Sequence, residues 1–169
     1  WQSSQAGKRK ESASKAWCVL KLGEFYSVKA LYTNIQGQGR PLVLLHGWGM
    51  NSRVWQPVIP ALVQRAQVIA VDLPGHGLSR DVPMESLQQT LAQLTPYIPE
   101  NAIIMGWSLG GLLAQALAHA LPERVAGLIL VASTPKFVAD ETWQPALAAE
   151  VLAAFAQQLQ TDYQATVKR

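Results

Sequence analysis

Three short stretches of the chain carry residue types suited to attack on a carbonyl carbon. Gly106-Trp107-Ser108-Leu109-Gly110-Gly111 contains the spacing G-x-S-x-G, while His46-Gly47-Trp48-Gly49 and Asp72-Leu73-Pro74-Gly75-His76-Gly77 are two further glycine-rich turns. A serine hydroxyl is a weak nucleophile until a base draws off its proton and fixed donors hold the charge forming on the carbonyl oxygen. G-x-S-x-G serves that chemistry when it lies between a strand and a helix. The sharp turn strains the serine, the glycines remove Cβ atoms that would strike neighbouring backbone, and the helix start offers N–H groups with no intrahelical partner. Ser108 is therefore the candidate nucleophile, with the amides of Leu109 and Trp48 as the candidate oxyanion hole. A serine at a strand end can also be a plain helix cap; two motifs in the right order favour the nucleophile. Nucleotide binding fits poorly, because Gly106, Gly110 and Gly111 do not match G-x-G-x-x-G and no G-x-x-x-x-G-K-[ST] occurs.

Such turns need strands behind them. VKALYTNI (28–35) reads as a strand ended by Gly37-Gln38-Gly39, and PLVLLHG, QVIAVD, residues 102–105 and residues 127–132 read as buried strands. Helices are expected over 52–64, from Pro83 to about Tyr97, and over 109–121. Short apolar strands alternating with helices predict an α/β fold with a mostly parallel sheet covered on both faces, whose ligand site lies at the carboxyl ends of the strands.

The 169 residues suit one domain, and 49% hydrophobic with 15% charged residues excludes a disordered polymer. No apolar run approaches the roughly 20 residues of a membrane helix. Net charge is +3, but residues 1–30 hold six basic and two acidic groups, while the other 139 hold eight and nine. The positive balance thus belongs to the leading segment, and a nucleic-acid-binding body is not expected. Residues 1–27 read as a flexible or unrelated segment without the apolar stretch of a signal peptide, so a cytoplasmic protein is expected. A single cysteine, Cys18, allows no internal disulfide or zinc cluster.

LVLLHGWGMNSRVW, VDLPGHGLSR, GWSLGGLLAQALAHALPERVAGLILVASTPKF and VLAAFAQQLQTDYQATVKR together resemble the α/β-hydrolase superfamily, and within it the methyl ester carboxylesterases that act on pimeloyl-[acyl-carrier protein] in biotin synthesis. The resemblance runs from about Leu31 to the last residue. It implies the α/β-hydrolase fold, Ser108 as nucleophile, Trp48 and Leu109 in the oxyanion hole and against substrate, and Phe155, Ala156, Gln157, Gln158 and Leu159 at the pocket from the start of a helical lid. On that pattern residues 28–140 are the N-terminal part of the hydrolase core and 141–169 the start of the lid. It further implies no cofactor or metal, a monomer when full-length, and an acyl-carrier protein bearing a pimeloyl methyl ester as partner, with Lys168 and Arg169 a weak basic beginning for that contact. Without the family, Leu152, Phe155 and Leu159 are simply an apolar helix face.

The triad's other members are harder to place. Superfamily order is Ser, then Asp or Glu, then His. His46 and His76 precede Ser108 in turns of other motifs, and His119 follows on the same helix, roughly 16 Å along at 1.5 Å per residue. His46 reads as a turn-holding residue, His119 as a helix-end residue, Asp72 as a turn stabiliser, and Trp107 as either core or pocket wall. Asp140 and Asp162 precede any later strand and do not occupy the acid position. The chain accordingly reads as an N-terminal portion, stopping before the last strands and leaving 127–132 as an apolar sheet edge.

Overall fold

The computed structural model describes residues 29–162, so the expectations for residues 1–27, Lys168 and Arg169 lie outside the described residues. Five strands form one sheet: β1 (Thr33–Gln36), β2 (Arg40–Leu45), β3 (Ala66–Val71), β4 (Ala102–Trp107) and β5 (Val125–Val131), in the order β1-β3-β2-β4-β5. All neighbours are parallel except β1, which runs antiparallel to β3. The expected mostly parallel sheet is present.

β2 shows why these segments are strands. Leu42, Val43, Leu44 and Leu45 are all buried, and alternation sends Val43 and Leu45 to one face and Leu42 and Leu44 to the other. On the first face they pack with Ile69, Val71, Ile104 and the helix residues Leu94, Leu113 and Leu117; on the second with Val68, Ala70, Trp55 and Ile59. The helices concerned are α1 (Ile59–Leu62), α2 (Leu87–Leu94) and α3 (Leu109–Ala120). Burial of each such leucine contributes about 1.5–3 kcal/mol, so the run reads as continuous apolar sequence because both its faces are core.

Local chemistry moved several boundaries. The helix expected over 52–64 is a 3₁₀ turn at Ser52–Trp55 followed by the short α1, because Pro57 and Pro60 each lack the N–H that a continuous helix would use. α2 starts at Leu87 rather than Pro83: Ser86 caps it by accepting from the Gln89 amide at 3.1 Å. Its end passes into a 3₁₀ turn at Thr95–Tyr97, which contains Pro96. The first strand is shorter than expected. The Tyr97 hydroxyl takes the Leu31 amide at 2.7 Å and Ser79 Oγ the Tyr32 amide at 2.9 Å, so side chains occupy those donors where a ladder would have been. β5 begins at Val125, two residues early, with a register shift where it meets Ala102 and Ile103.

β5 departs from the expectation of a sheet covered on both faces. Leu128, Ile129, Leu130 and Val131 are 37–43% exposed, and among the described residues no strand pairs with its outer edge. Successive exposed residues mean that both faces are only partly covered, with α3 packed against one of them, and that the edge is open. An unpaired apolar strand is a template for association. Purified residues 1–169 are expected to self-associate and to enhance ANS fluorescence, and the pair Leu128→Lys and Leu130→Lys to restore a monomer in sedimentation velocity. A wild-type monomer at tens of micromolar, on the order of the concentrations where exposed edges associate, would contradict this.

Candidate active site

β4 ends at Trp107 and α3 begins at Leu109, leaving Ser108 alone to turn strand into helix. Its backbone takes φ 52° and ψ −116°. For a residue with a Cβ this costs about 1–3 kcal/mol and persists only where the surroundings fix it. They do so on every side. The Ser108 amide donates to the Val131 carbonyl at 2.9 Å, and its own carbonyl accepts from Gly111 N at 2.9 Å, Leu112 N at 3.1 Å and Ser133 Oγ at 2.8 Å.

The glycines permit a close approach of backbones. A Cβ on Gly110 would collide with the Leu45 carbonyl oxygen and lie 2.7 Å from that of His46, while one on Gly106 would lie 2.5 Å from the Gly110 carbonyl carbon. α3 can therefore press its first turn against the ends of β2 and β4. That contact carries Gly47 to Ser108: a Cβ on Gly47 would sit 3.6 Å from Ser108 Cβ. The Gly47-Trp48 turn thus stands beside the serine, at the end of α3 where Leu109 and its neighbours have no preceding helical carbonyl to bond. The positive end of the α3 dipole lies on the same side.

A buried polar cluster fixes the two neighbouring turns. His46 is fully buried; its Nε2 accepts from the Leu73 amide at 3.0 Å, so the proton resides on Nδ1 and is donated to the Gly47 carbonyl at 2.8 Å. Burial pushes its pKa down to about 4, helped by the His76 ring 5.3 Å away and opposed by the Gly47 bond and by Asp72. Asp72, also buried, accepts from the amides of Ser52 at 2.6 Å and Leu78 at 2.8 Å. Both residues hold turns, as expected. With both ring nitrogens committed to backbone, His46 is not disposed as a base; His76 bonds the Pro74 carbonyl at 2.7 Å, and His119 is exposed at the far end of α3.

In front of Ser108 lies a cavity of about 850 Å³. Trp48, Leu109 and Trp107 line it, so Trp107 is pocket wall as well as packing edge-on against Trp55 at 6.4 Å. Helix α4 (Ala149–Thr161) closes one side through Val151, Leu152 and Phe155, and Phe155 meets the Trp48 ring edge-on at 6.0 Å. Of the five residues expected from α4, Phe155 lines the cavity; Ala156, Gln157, Gln158 and Leu159 lie on the same helix but do not line it. Sequence reading missed Met84, Leu87, Phe137 and Leu147, which complete the wall. Leu147, Val151 and Phe155 recur every four residues, a signal that was there to use. The segment between β5 and α4 is pinned by Asp140, which accepts from Lys136 Nζ, from Thr142 N and Oγ1 and from Trp143 N; the Lys136 ammonium and these donors hold its carboxyl well below the usual range. That is a loop-building role rather than a catalytic one. Asp162 follows the last residue of α4.

A strained serine between strand and helix, with an amide-bearing turn and an apolar cavity beside it, defines a nucleophile elbow of the hydrolase kind. The chain belongs to the alpha/beta hydrolase fold family, whose model matches residues 40–166. It is 47% identical over 143 residues to a pimeloyl-[acyl-carrier protein] methyl ester esterase of Yersinia enterocolitica, covering 84% of this chain and 55% of that protein. A protein of the same name from Vibrio cholerae is 46% identical over 140 residues, covering 83% and 54%. The chain spans about half the length of the curated relatives it matches. Among solved structures, the esterase RhEst1 from Rhodococcus sp. ECU1013 superposes with a TM-score of 0.65 at 31% identity, over 82% of this chain and 54% of that one. An esterase from Exiguobacterium antarcticum shares the fold with a TM-score of 0.70 at 24% identity, over 82% and 55%.

Two outcomes test this geometry. Gly110→Ala forces a methyl group into fixed backbone and should cost at least about 3 kcal/mol or prevent folding. Gly127→Ala, where the nearest atom is 3.9 Å away, should stay within about 1 kcal/mol of wild type in urea unfolding. His46 is neutral when folded and free to protonate when unfolded, so its contribution is intact above pH 6.5 and is lost as pH falls towards 4. The loss amounts to about 3 kcal/mol, and His46→Gln, which can still donate and accept, should flatten that part of the stability profile.

Proposed function

We propose that this chain carries the nucleophile half of a serine carboxylesterase acting on the methyl ester of pimeloyl-[acyl-carrier protein]. The strained Ser108 at the mouth of an apolar cavity is the observation that carries the reaction type. The substrate rests on the names of the relatives from Yersinia enterocolitica and Vibrio cholerae. Ser108 Oγ attacks the ester carbonyl as its proton passes to a general base, and the carbonyl oxygen, now negative, receives the amides of Trp48 and Leu109. The tetrahedral centre collapses by breaking the bond to the methoxy oxygen, which leaves as methanol with that proton. Water then adds to the acyl-serine, and its collapse returns the Ser108 hydroxyl and a carboxylate.

The methylene chain of a pimeloyl group suits walls of Trp107, Leu112, Phe155 and Leu152, and no redox or metal chemistry is required. Among the described residues no group of three or more metal-ligating side chains clusters, and no helix is long and apolar enough to cross a membrane. The reading is of a cytoplasmic enzyme, monomeric when complete, whose partner is the carrier protein. α4 is the start of its lid, contacting substrate through Phe155. Base and acid are assigned to the part of the relatives that this chain does not share, since both ring nitrogens of His46 are engaged with backbone and neither His76 nor His119 lines the cavity.

A chimera joining residues 1–169 to the unshared part of the Yersinia enterocolitica protein should hydrolyse p-nitrophenyl butyrate, and Ser108→Ala should cut its kcat by about 10⁴–10⁶ with the fold retained. Residues 1–169 alone should hydrolyse the ester no faster than their own Ser108→Ala variant. Serine-dependent turnover by the unextended chain would show that a described histidine reaches Ser108 after all.

A further inference from the structure

The Ser108–Leu109 peptide joins two parts of the site. Its nitrogen end is the Leu109 amide, a candidate oxyanion donor, and its oxygen end is the Ser108 carbonyl. That carbonyl accepts from Gly111 N at 2.9 Å and Leu112 N at 3.1 Å, both within the first turn of α3, and from Ser133 Oγ at 2.8 Å, which comes from 25 residues along the chain. Two features bring Ser133 there. Ala132, directly after β5, takes φ 47°, a left-handed conformation that disfavours a residue with a Cβ and persists only where its surroundings fix it. On either side of that kink, the Val131 carbonyl accepts from Ser108 N at 2.9 Å and the Ser133 hydroxyl donates to Ser108 O, so residues 131 and 133 bond both backbone groups of the strained serine. The second feature is Gly111, where a Cβ would collide with Cβ and Oγ of Ser133. Its missing side chain leaves the room that Ser133 fills.

We propose that Ser133 is a positioning residue for the oxyanion hole, acting through the Ser108–Leu109 peptide. The proposal deepens the esterase reading and rests on it. The peptide is trans and planar, so its C=O and N–H point in opposite directions, and fixing the oxygen fixes the line along which the Leu109 N–H is aimed. A donor on the oxygen also draws electron density from the nitrogen, which makes the N–H a better donor; hydrogen bonds chained in this way strengthen one another by roughly 10–30%. Ser133 itself touches neither substrate nor the reacting atoms, and its proton stays on Oγ. The chain Ser133 O–H, Ser108 C=O, Leu109 N–H ends on the ester carbonyl oxygen, which carries most negative charge in the transition state. A neutral ester gains less from it, so the effect falls on kcat rather than on KM.

The coupling can be read without turnover in residues 1–169 carrying Leu128→Lys and Leu130→Lys. Serine labelled with carbon-13 at its carbonyl and leucine labelled with nitrogen-15 mark two peptides in the chain, Ser86–Leu87 and Ser108–Leu109. Ser133→Ala should move the Leu109 amide resonance to lower nitrogen-15 frequency and leave that of Leu87 in place. In the chimera, Ser133→Ala should lower kcat on p-nitrophenyl butyrate about three- to tenfold with KM within about twofold, a fraction of the roughly 10²–10³ lost when an oxyanion donor is removed outright. Ser133→Thr, which keeps the hydroxyl, should recover most of the rate. Ser133→Cys, a weaker donor of similar size, should fall between, and carries the test if the alanine variant does not fold. A Leu109 resonance unmoved by loss of the hydroxyl, a kcat within about twofold of the parent, or an equal loss in the threonine variant would each overturn the role of Ser133. Failure of the esterase reading shows elsewhere, as a chimera indifferent to Ser108→Ala, and leaves the resonance shift as it is.

Discussion

Everything near Ser108 depends on how closely the first turn of α3 approaches the end of β2. With a hydrogen where other residues carry a methyl group, Gly110 lies against the carbonyls of Leu45 and His46. That contact sets the angle between β4 and α3, and the angle confines the connection to one residue. Ser108 then has no choice but a left-handed φ. The cost of that conformation is offset by four hydrogen bonds reaching it from Val131, Gly111, Leu112 and Ser133. Two of those partners lie on or just after β5, so the strand least protected by the sheet also steadies the candidate nucleophile. The strain is local, and its support is not.

The polar cluster around His46 and Asp72 solves a related problem. Turns at the ends of buried strands bring backbone N–H and C=O groups away from water, and each one left unpaired costs about 1–3 kcal/mol. Leu73 N, Gly47 O, Ser52 N and Leu78 N are all satisfied by these two side chains. One imidazole can do both tasks only as a neutral tautomer, donor at Nδ1 and acceptor at Nε2. The histidine that stands nearest the candidate oxyanion turn is consequently occupied in holding it. A motif histidine beside a serine is therefore no evidence of a base.

Much of this was legible in the sequence, for identifiable reasons. β2 and β3 end in residues buried on both faces, β4 alternates buried with half-buried residues, and their apolar runs announce them; the positions of Ser108, Leu109 and Trp48 in turns at strand ends follow from the same pattern. What escaped was decided by side chains far away in sequence. Tyr97 and Ser79 took the amides at Leu31 and Tyr32, so β1 began late. Two prolines split one expected helix, although propensity alone could have flagged them. At α4 the resemblance pointed to Phe155 through Leu159, but the residues that line the cavity run back from Phe155 through Leu152 and Val151 to Leu147, ahead of the helix, rather than on to Leu159. Which end of a helix faces a cavity is tertiary information.

The cavity's chemistry also follows from which elements were free to build it. β-strand ends supply the serine and the amides, because only there do backbone donors face outward beyond a covered sheet. The opposite wall comes from α4 and the segment before it, which Asp140 holds by drawing Lys136, Thr142 and Trp143 around one carboxylate. Phe137 and Leu147, bracketing that knot, both face the cavity. Charged groups are thus spent on shaping the loop, outside the wall they position. Apolar side chains dominate the cavity wall around Ser108, and in a medium of low dielectric fixed amide dipoles act on a developing negative charge more strongly than they would in water.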